Sequence, residues 1–118
     1  MKLLIQSNSE TPLYLQLYNQ VEEQILAGEI PADSCLPSIR LVARELRISV
    51  LPVRAAYDLL EQNGYIYTVQ GKGCFAAKTN VRDKRKEIAT ADVKTAVERC
   101  KKLGLTADEI VDIVKNVY

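Results

Sequence analysis

The chain has 118 residues, 47% of them hydrophobic and 26% charged, which suits one compact domain or a small domain with an appendage and excludes a disordered segment. Its apolar runs, such as Leu3-Leu4-Ile5, are far too short to span a membrane; there is no His, and the three Cys at 35, 74 and 100 are widely spaced. Net charge is only +1, but residues 1–34 carry one base and five acids, whereas residues 35–78 carry six bases and three acids, so positive potential is concentrated in the middle of the chain.

Residues 1–10 read as a loose arm. They lack the apolar core of a secretory leader, so a cytoplasmic address is expected. Thr11-Pro12 is a helix start, with Thr as cap and Pro at the first helical position. Leu13, Leu17, Val21 and Ile25, flanked by Tyr14 and Tyr18, then recur every four residues and predict a core-facing helix that ends near Gly28. Glu29 to Pro37 reads as a linker with two prolines. Ser38 caps a short helix from Ile39 to about Arg47, with Ile39, Val42, Ala43 and Leu46 inward and Arg40, Arg44 and Arg47 outward.

After a break at Arg47-Ile48-Ser49 comes a helix from about Val50 to Asn63, with Val53, Ala56, Tyr57 and Leu60 inward and Gly64 as its stop. Two helices joined so tightly, the second led by Ser49, read as a helix-turn-helix. Tyr65 to Val69 is rich in aromatic and β-branched residues and reads as a strand. Gln70-Gly71-Lys72-Gly73 turns it back into Cys74-Phe75-Ala76-Ala77, forming a hairpin with Lys72 at the tip. The fold class is therefore mainly α (α+β): a winged helix-turn-helix over residues 1–78, followed by a helical tail over residues 79–118.

The tail opens with a charged run from Arg82 to Glu87. Ala89, Val93, Ala96, Cys100 and Leu103 then step by four, three, four and three, a seam of coiled-coil type built from small residues. Beyond Gly104, Thr106 and Glu109 have capping-box spacing, and Ile110, Ile113, Val114 and Val117 form the apolar side of a last helix. Neither helix carries enough apolar surface to stand alone, so both need the head, a partner chain or both.

The major groove of B-DNA admits one helix and presents a distinct pattern for each base pair. The first turn from Ser49 to Arg54 is placed to face base edges and phosphates. Arg40, with Ser38 capping its helix and Arg44 one turn on, points outward near that terminus; a guanidinium clamps a phosphate or reads guanine. Lys72, between Gly71 and Gly73, can approach the neighbouring backbone closely. No carboxylate pair in a distinctive context, no phosphate-cradling loop followed by Lys-Ser/Thr and no GxSxG is present, so catalytic residues, metal ligands and cofactors are all expected to be none.

These segments resemble a known family. Pro12-Leu13-Tyr14-Leu15-Gln16-Leu17, Gly28, Leu36-Pro37-Ser38-Ile39-Arg40, Ala56-Tyr57-Asp58-Leu59-Leu60-Glu61, Asn63-Gly64-Tyr65-Ile66 and Gly71-Lys72-Gly73-Cys74-Phe75 are similar, in order and spacing, to the GntR family of bacterial winged-helix regulators. The tail around Leu103-Gly104-Leu105-Thr106 resembles the YtrA-like subfamily. The resemblance implies binding of a palindromic double-stranded operator by a homodimer, usually to repress, with dimerisation through the two tail helices. It carries DNA contacts to Arg40, to Ser49, Val50, Leu51, Pro52 and Arg54, and to Gln70, Gly71 and Lys72.

The chain also departs from the family pattern. Val50 stands where many relatives have a hydrogen-bonding residue, although an apolar contact to a thymine methyl is available to it. Pro52 replaces a common Thr, has no N–H to donate, and leaves two helix starts open: one capped by Ser49, the other at Pro52 itself. Ala32-Asp33 occupies the place of a Pro-Gly turn. A winged-helix protein-interaction module without DNA readout is the alternative function, motivated by the apolar Val50-Leu51-Pro52 turn. About forty residues beyond the wing are too few to enclose a sizeable pocket in one chain, so no small-molecule effector is assigned.

Overall fold

The computed structural model describes the chain from Met1 to Tyr118, apart from the side chains of residues 81 and 82. The Arg82 end of the charged run therefore lies outside the described side chains. Five helices and one two-stranded antiparallel sheet follow in the order α1 (Leu13–Leu26), α2 (Ile39–Leu46), α3 (Val50–Gln62), β1 (Ile66–Val69), β2 (Gly73–Ala76), α4 (Val81–Lys102) and α5 (Ala107–Val117). They fall into two compact units, Met1–Thr79 and Asn80–Tyr118.

In the first unit, the four-residue apolar periods of α1 and α3 bring their stripes together. Leu17, Tyr18, Val21 and Ile25 of α1 and Val53, Ala56, Tyr57 and Leu60 of α3 are all buried, and Val42 and Ala43 of α2 complete that layer. Ile30, Leu36, Tyr65, Ile66 and Ala76 close the core from the connections and the sheet. The rings of Tyr18 and Tyr65 meet edge to face at 6.2 Å, and Asn63 donates to the Tyr18 hydroxyl at 2.8 Å, tying α1 to the end of α3.

Three expectations need correction. Thr11 does not cap α1: the N-cap is Pro12, whose carbonyl accepts from Leu15 and Gln16, while the Thr11 carbonyl accepts from the Gln16 amide. Nor is the arm loose. The backbone N–H and C=O of Lys2, Leu4 and Gln6 each bond both ends of one α1 amide, from Gln24, Gln20 and Gln16 respectively, at 2.6–3.1 Å. The lengths match: four helical residues rise about 6 Å and two extended ones about 6.6 Å, so a glutamine every fourth position meets every second residue of the arm.

The linker is also structured. Asp33 donates to Ala76, Ala76 to Ser34 and Leu36 to Cys74, with Cys35 bridged to Phe75, so residues 33–36 add a third rung beside β2. Asp33 turns the chain into this rung at φ 63°, a left-handed conformation that Asp tolerates where Pro-Gly is the commoner solution.

The second unit consists of α4, capped by the Asn80 side chain on the Asp83 N–H, and α5. Thr106 and Glu109 form the expected capping box, with the Thr hydroxyl accepting from the Glu109 N–H at 3.3 Å and the Glu109 carboxylate accepting from the Thr106 N–H at 3.1 Å. No residue of this unit is buried among the described side chains.

Candidate nucleic-acid interface

The connection between α2 and α3 is three residues long because Arg47 reverses it in one step. Expected as the last residue of an arginine-bearing helix face, Arg47 instead caps α2 in the left-handed conformation at φ 56°. The outward face of α2 thus carries Arg40 and Arg44, both exposed, and Arg47 leaves the helix. Ser38 caps α2 as expected, its hydroxyl accepting from the Leu41 N–H at 3.1 Å.

The open question at Pro52 has a structural answer. Helix α3 begins at Val50, with Ser49 as an extended N-cap residue, so Pro52 is its third residue. Proline fits in the first turn because the N–H it lacks would have had no helical partner. The cost falls on the cap: the Ser49 side chain makes no cap hydrogen bond, since the donor it would most naturally accept from is missing. Its hydroxyl is exposed and free of helix duties. Beside it, Val50 is 37% and Leu51 70% exposed.

The wing follows from register and turn chemistry. Ile66 pairs with Ala76, Tyr67 with Phe75, Thr68 with Cys74 and Val69 with Gly73. The Tyr67 and Phe75 rings stack at 5.6 Å, and the Tyr67 hydroxyl donates to the Asp33 carboxylate at 2.8 Å, which fixes the wing to the added rung and holds that phenol above its ordinary pKa. At the tip, Lys72 donates its N–H to Val69 across Gln70 and Gly71, and Gly71 takes φ 81°, as the third residue of such a turn requires.

These elements leave a groove between the start of α2, the outer side of α3 and the wing. Ser38, Arg40, Arg54, Tyr57, Lys72 and Gly73 line it, together with Cys35, Leu36, Pro37, Ile39 and Cys74, and no acidic residue is among them. Tyr57 sets its floor: buried and with its phenol pushed well above the usual range by that burial, it donates to the Pro37 carbonyl at 2.7 Å and locks α3 to the entry of α2. Neither feature of Tyr57 carries a sequence signal beyond its place on the inward stripe of α3.

Among the described residues, none of Arg40, Arg44, Arg47, Arg54 and Lys72 sits in a salt bridge. Of the residues singled out in the sequence, the groove gathers Ser38, Arg40, Arg54, Lys72 and Gly73. It does not gather Arg44, Ser49, Val50, Leu51, Pro52, Gln70 or Gly71, which lie on the surrounding surface, all exposed except half-buried Pro52. The three cysteines are free thiols, and no group of side chains suited to holding a metal occurs among the described residues.

Comparison with known proteins agrees with this geometry. The model of the family described as bacterial regulatory proteins, gntR family, matches residues 13–76. The transcriptional regulator YhcF of Bacillus subtilis is 30% identical over 93% of this chain and 93% of its own length, and the transcriptional repressor YtrA of the same organism is 27% identical over 96% and 89%. A transcriptional antiterminator from Listeria monocytogenes has a similar structure, with a TM-score of 0.70 at 26% identity over 99% of this chain and 90% of that one. The AraR DNA-binding domain, solved in complex with operator ORX1, gives 0.57 at 28% identity over 65% of this chain and 96% of that one. The chain belongs to the GntR family and is a winged-helix, DNA-binding transcriptional regulator with YtrA among its relatives.

Proposed function

We propose that this chain is a repressor that binds a palindromic operator as a homodimer, with residues 1–78 reading DNA and residues 79–118 joining the two copies. The observation that carries the reading is the acid-free groove where Ser38, Arg40, Arg54 and Lys72 converge from three elements, beside the exposed first turn of α3. Seating α3 in the major groove points two helix N-termini, those of α2 and α3, at the phosphates and leaves Arg54 to reach base edges. Ser49, with its hydroxyl free, donates to a phosphate. Gln70, Gly71 and Lys72 follow the neighbouring backbone, where glycine on either side of the lysine removes bulk. Arg44 adds a further phosphate contact.

The dimer rests on the tail. Val93 and Leu103 of the α4 seam and Ile113, Val114 and Val117 of α5 are all exposed, the last at 77%. With Ala89, Ala96, Cys100 and Ile110 they supply an apolar surface that a second copy would cover, and a two-fold pair then presents two α3 helices to half-sites about one helical turn apart. Membership of a regulator family supports a role in binding, not catalysis, with no cofactor, and a protein acting on genomic DNA works in the cytoplasm.

Selection of bound fragments from genomic DNA, followed by titration of the recovered duplex and of random duplex at two salt concentrations, tests the reading. The recovered site is expected to bind on the order of a thousand-fold or more tightly than random sequence, with affinity falling steeply as salt rises. Equal affinity for both duplexes contradicts it.

A further inference from the structure

The first turn of α3 is an unusual reading head. Its first three residues, Val50, Leu51 and Pro52, have no side-chain hydrogen-bonding group at all, and Pro52 lacks even a backbone donor. Yet Leu51 is 70% exposed and Val50 37%, in the same first turn that leads to Arg54, which lines the groove with Arg40 and Lys72. An exposed leucine beside uncompensated arginines gains nothing in water, since apolar surface is stabilised only when something covers it. The surrounding positive charge selects a polyanion as the cover. On a DNA duplex, the major-groove edge presents a single apolar group, the C5 methyl of thymine.

We infer that Leu51, supported by Val50, reads thymine through its methyl group, so that sequence selectivity at these positions comes from apolar contact while Arg54 supplies the hydrogen-bonded readout. This rests on the operator-binding reading above. Ser49 fits the division of labour: its hydroxyl, released from capping by Pro52, anchors the turn on a phosphate and fixes the depth at which Leu51 meets the groove. Each half-site then contains thymine at one or two positions where hydrogen-bond donors and acceptors alone are not enough for recognition.

Uracil tests this directly, because it keeps every hydrogen-bonding group of thymine and lacks only the methyl. The full chain is used to select its tightest duplex from a random pool, and that duplex is remade with uracil replacing thymine one position at a time. Wild-type protein is expected to bind about three- to five-fold more weakly for each methyl that it covers, the effect of one buried methyl-sized group. Leu51→Ala is expected to bind the thymine duplex about as weakly and to lose the discrimination between thymine and uracil at that position. Leu51 is exposed, so the variant keeps its fold, and an unchanged melting curve verifies this. Wild-type protein indifferent to uracil at every position, or Leu51→Ala discriminating as before, overturns methyl readout while leaving operator binding intact. A pool from which no duplex is enriched overturns the operator reading itself, and this inference with it.

Discussion

Fifteen apolar residues between Leu17 and Ala76 are buried within the first unit, whereas in the unit from Asn80 to Tyr118 no described side chain is. The two differ little in their supply of aliphatic residues; what differs is geometry. In the first unit, α1, α2, α3 and the wing face one another from several directions, so each stripe finds a cover inside the chain. The second unit consists of only two helices, α4 and α5, and Leu103, Ile113, Val114 and Val117 remain open. A segment built this way is half of a core. On the proposed reading the head carries its own stability, and the tail is expected to depend on a second copy that covers it.

Truncation in each unit should break that symmetry most sharply. Leu60 is fully buried, so Leu60→Ala is expected to lower the unfolding free energy of the head by about 2–5 kcal/mol, read by urea denaturation at any protein concentration. Ile113→Ala is expected to leave the head transition in place and instead raise the concentration at which the proposed dimer dissociates, read by sedimentation. A concentration-independent loss from Ile113→Ala would show that the tail has a core of its own.

Next in size are the groove cations. Arg40→Ala and Lys72→Ala should each weaken operator binding about ten-fold or more with no change in melting, and each lost phosphate contact should reduce the salt dependence by about one unit of slope. The paired serines sharpen the point. The Ser38 hydroxyl caps α2 whereas the Ser49 hydroxyl makes no cap hydrogen bond, so Ser38→Ala should cost about 1 kcal/mol of stability, whereas Ser49→Ala should leave stability nearly unchanged and reduce affinity.

The smallest effect is a pH dependence confined to the head. Burial pushes the Tyr18 phenol up to about 12, so the folded state prefers it protonated. Its contribution is complete below the unfolded tyrosine range near 10 and is lost as pH rises from there toward 12. Alkaline unfolding should therefore be shallower in Tyr18→Phe, on top of a pH-independent loss of about 1 kcal/mol from the missing hydrogen bond to Asn63.

Much of this was legible because it is periodic. Val53, Ala56, Tyr57 and Leu60 declare the inward face of α3 by spacing alone, Gly64 declares its end, and Lys72 between two glycines declares the wing tip. The glutamines at 16, 20 and 24 escape such reading: they carry neither charge nor hydrophobicity, and their four-residue spacing acquires meaning only once an extended arm lies against it. The rung at residues 33–36 is equally silent, since two prolines around a polar stretch look like any linker. At the site, Arg40, Arg54 and Lys72 were readable as cations on outward positions, but their convergence on one groove is a product of the tertiary fold, in which Tyr57 bonded to Pro37 ties α3 to the entry of α2 and the hairpin brings Lys72 alongside. The start of α3 depended on whether Ser49 or Pro52 governs the first turn, a choice between two local preferences that residue types alone leave balanced.

The most direct test of the whole account is the stoichiometry of the complex with its selected operator. Sedimentation of the full chain with a duplex containing one palindromic site should give two protomers per duplex, bound cooperatively, and a half-site duplex should bind far more weakly. One protomer per palindrome, or equal affinity for the half-site, would contradict the assignment of a DNA-reading head joined to a dimer-forming tail.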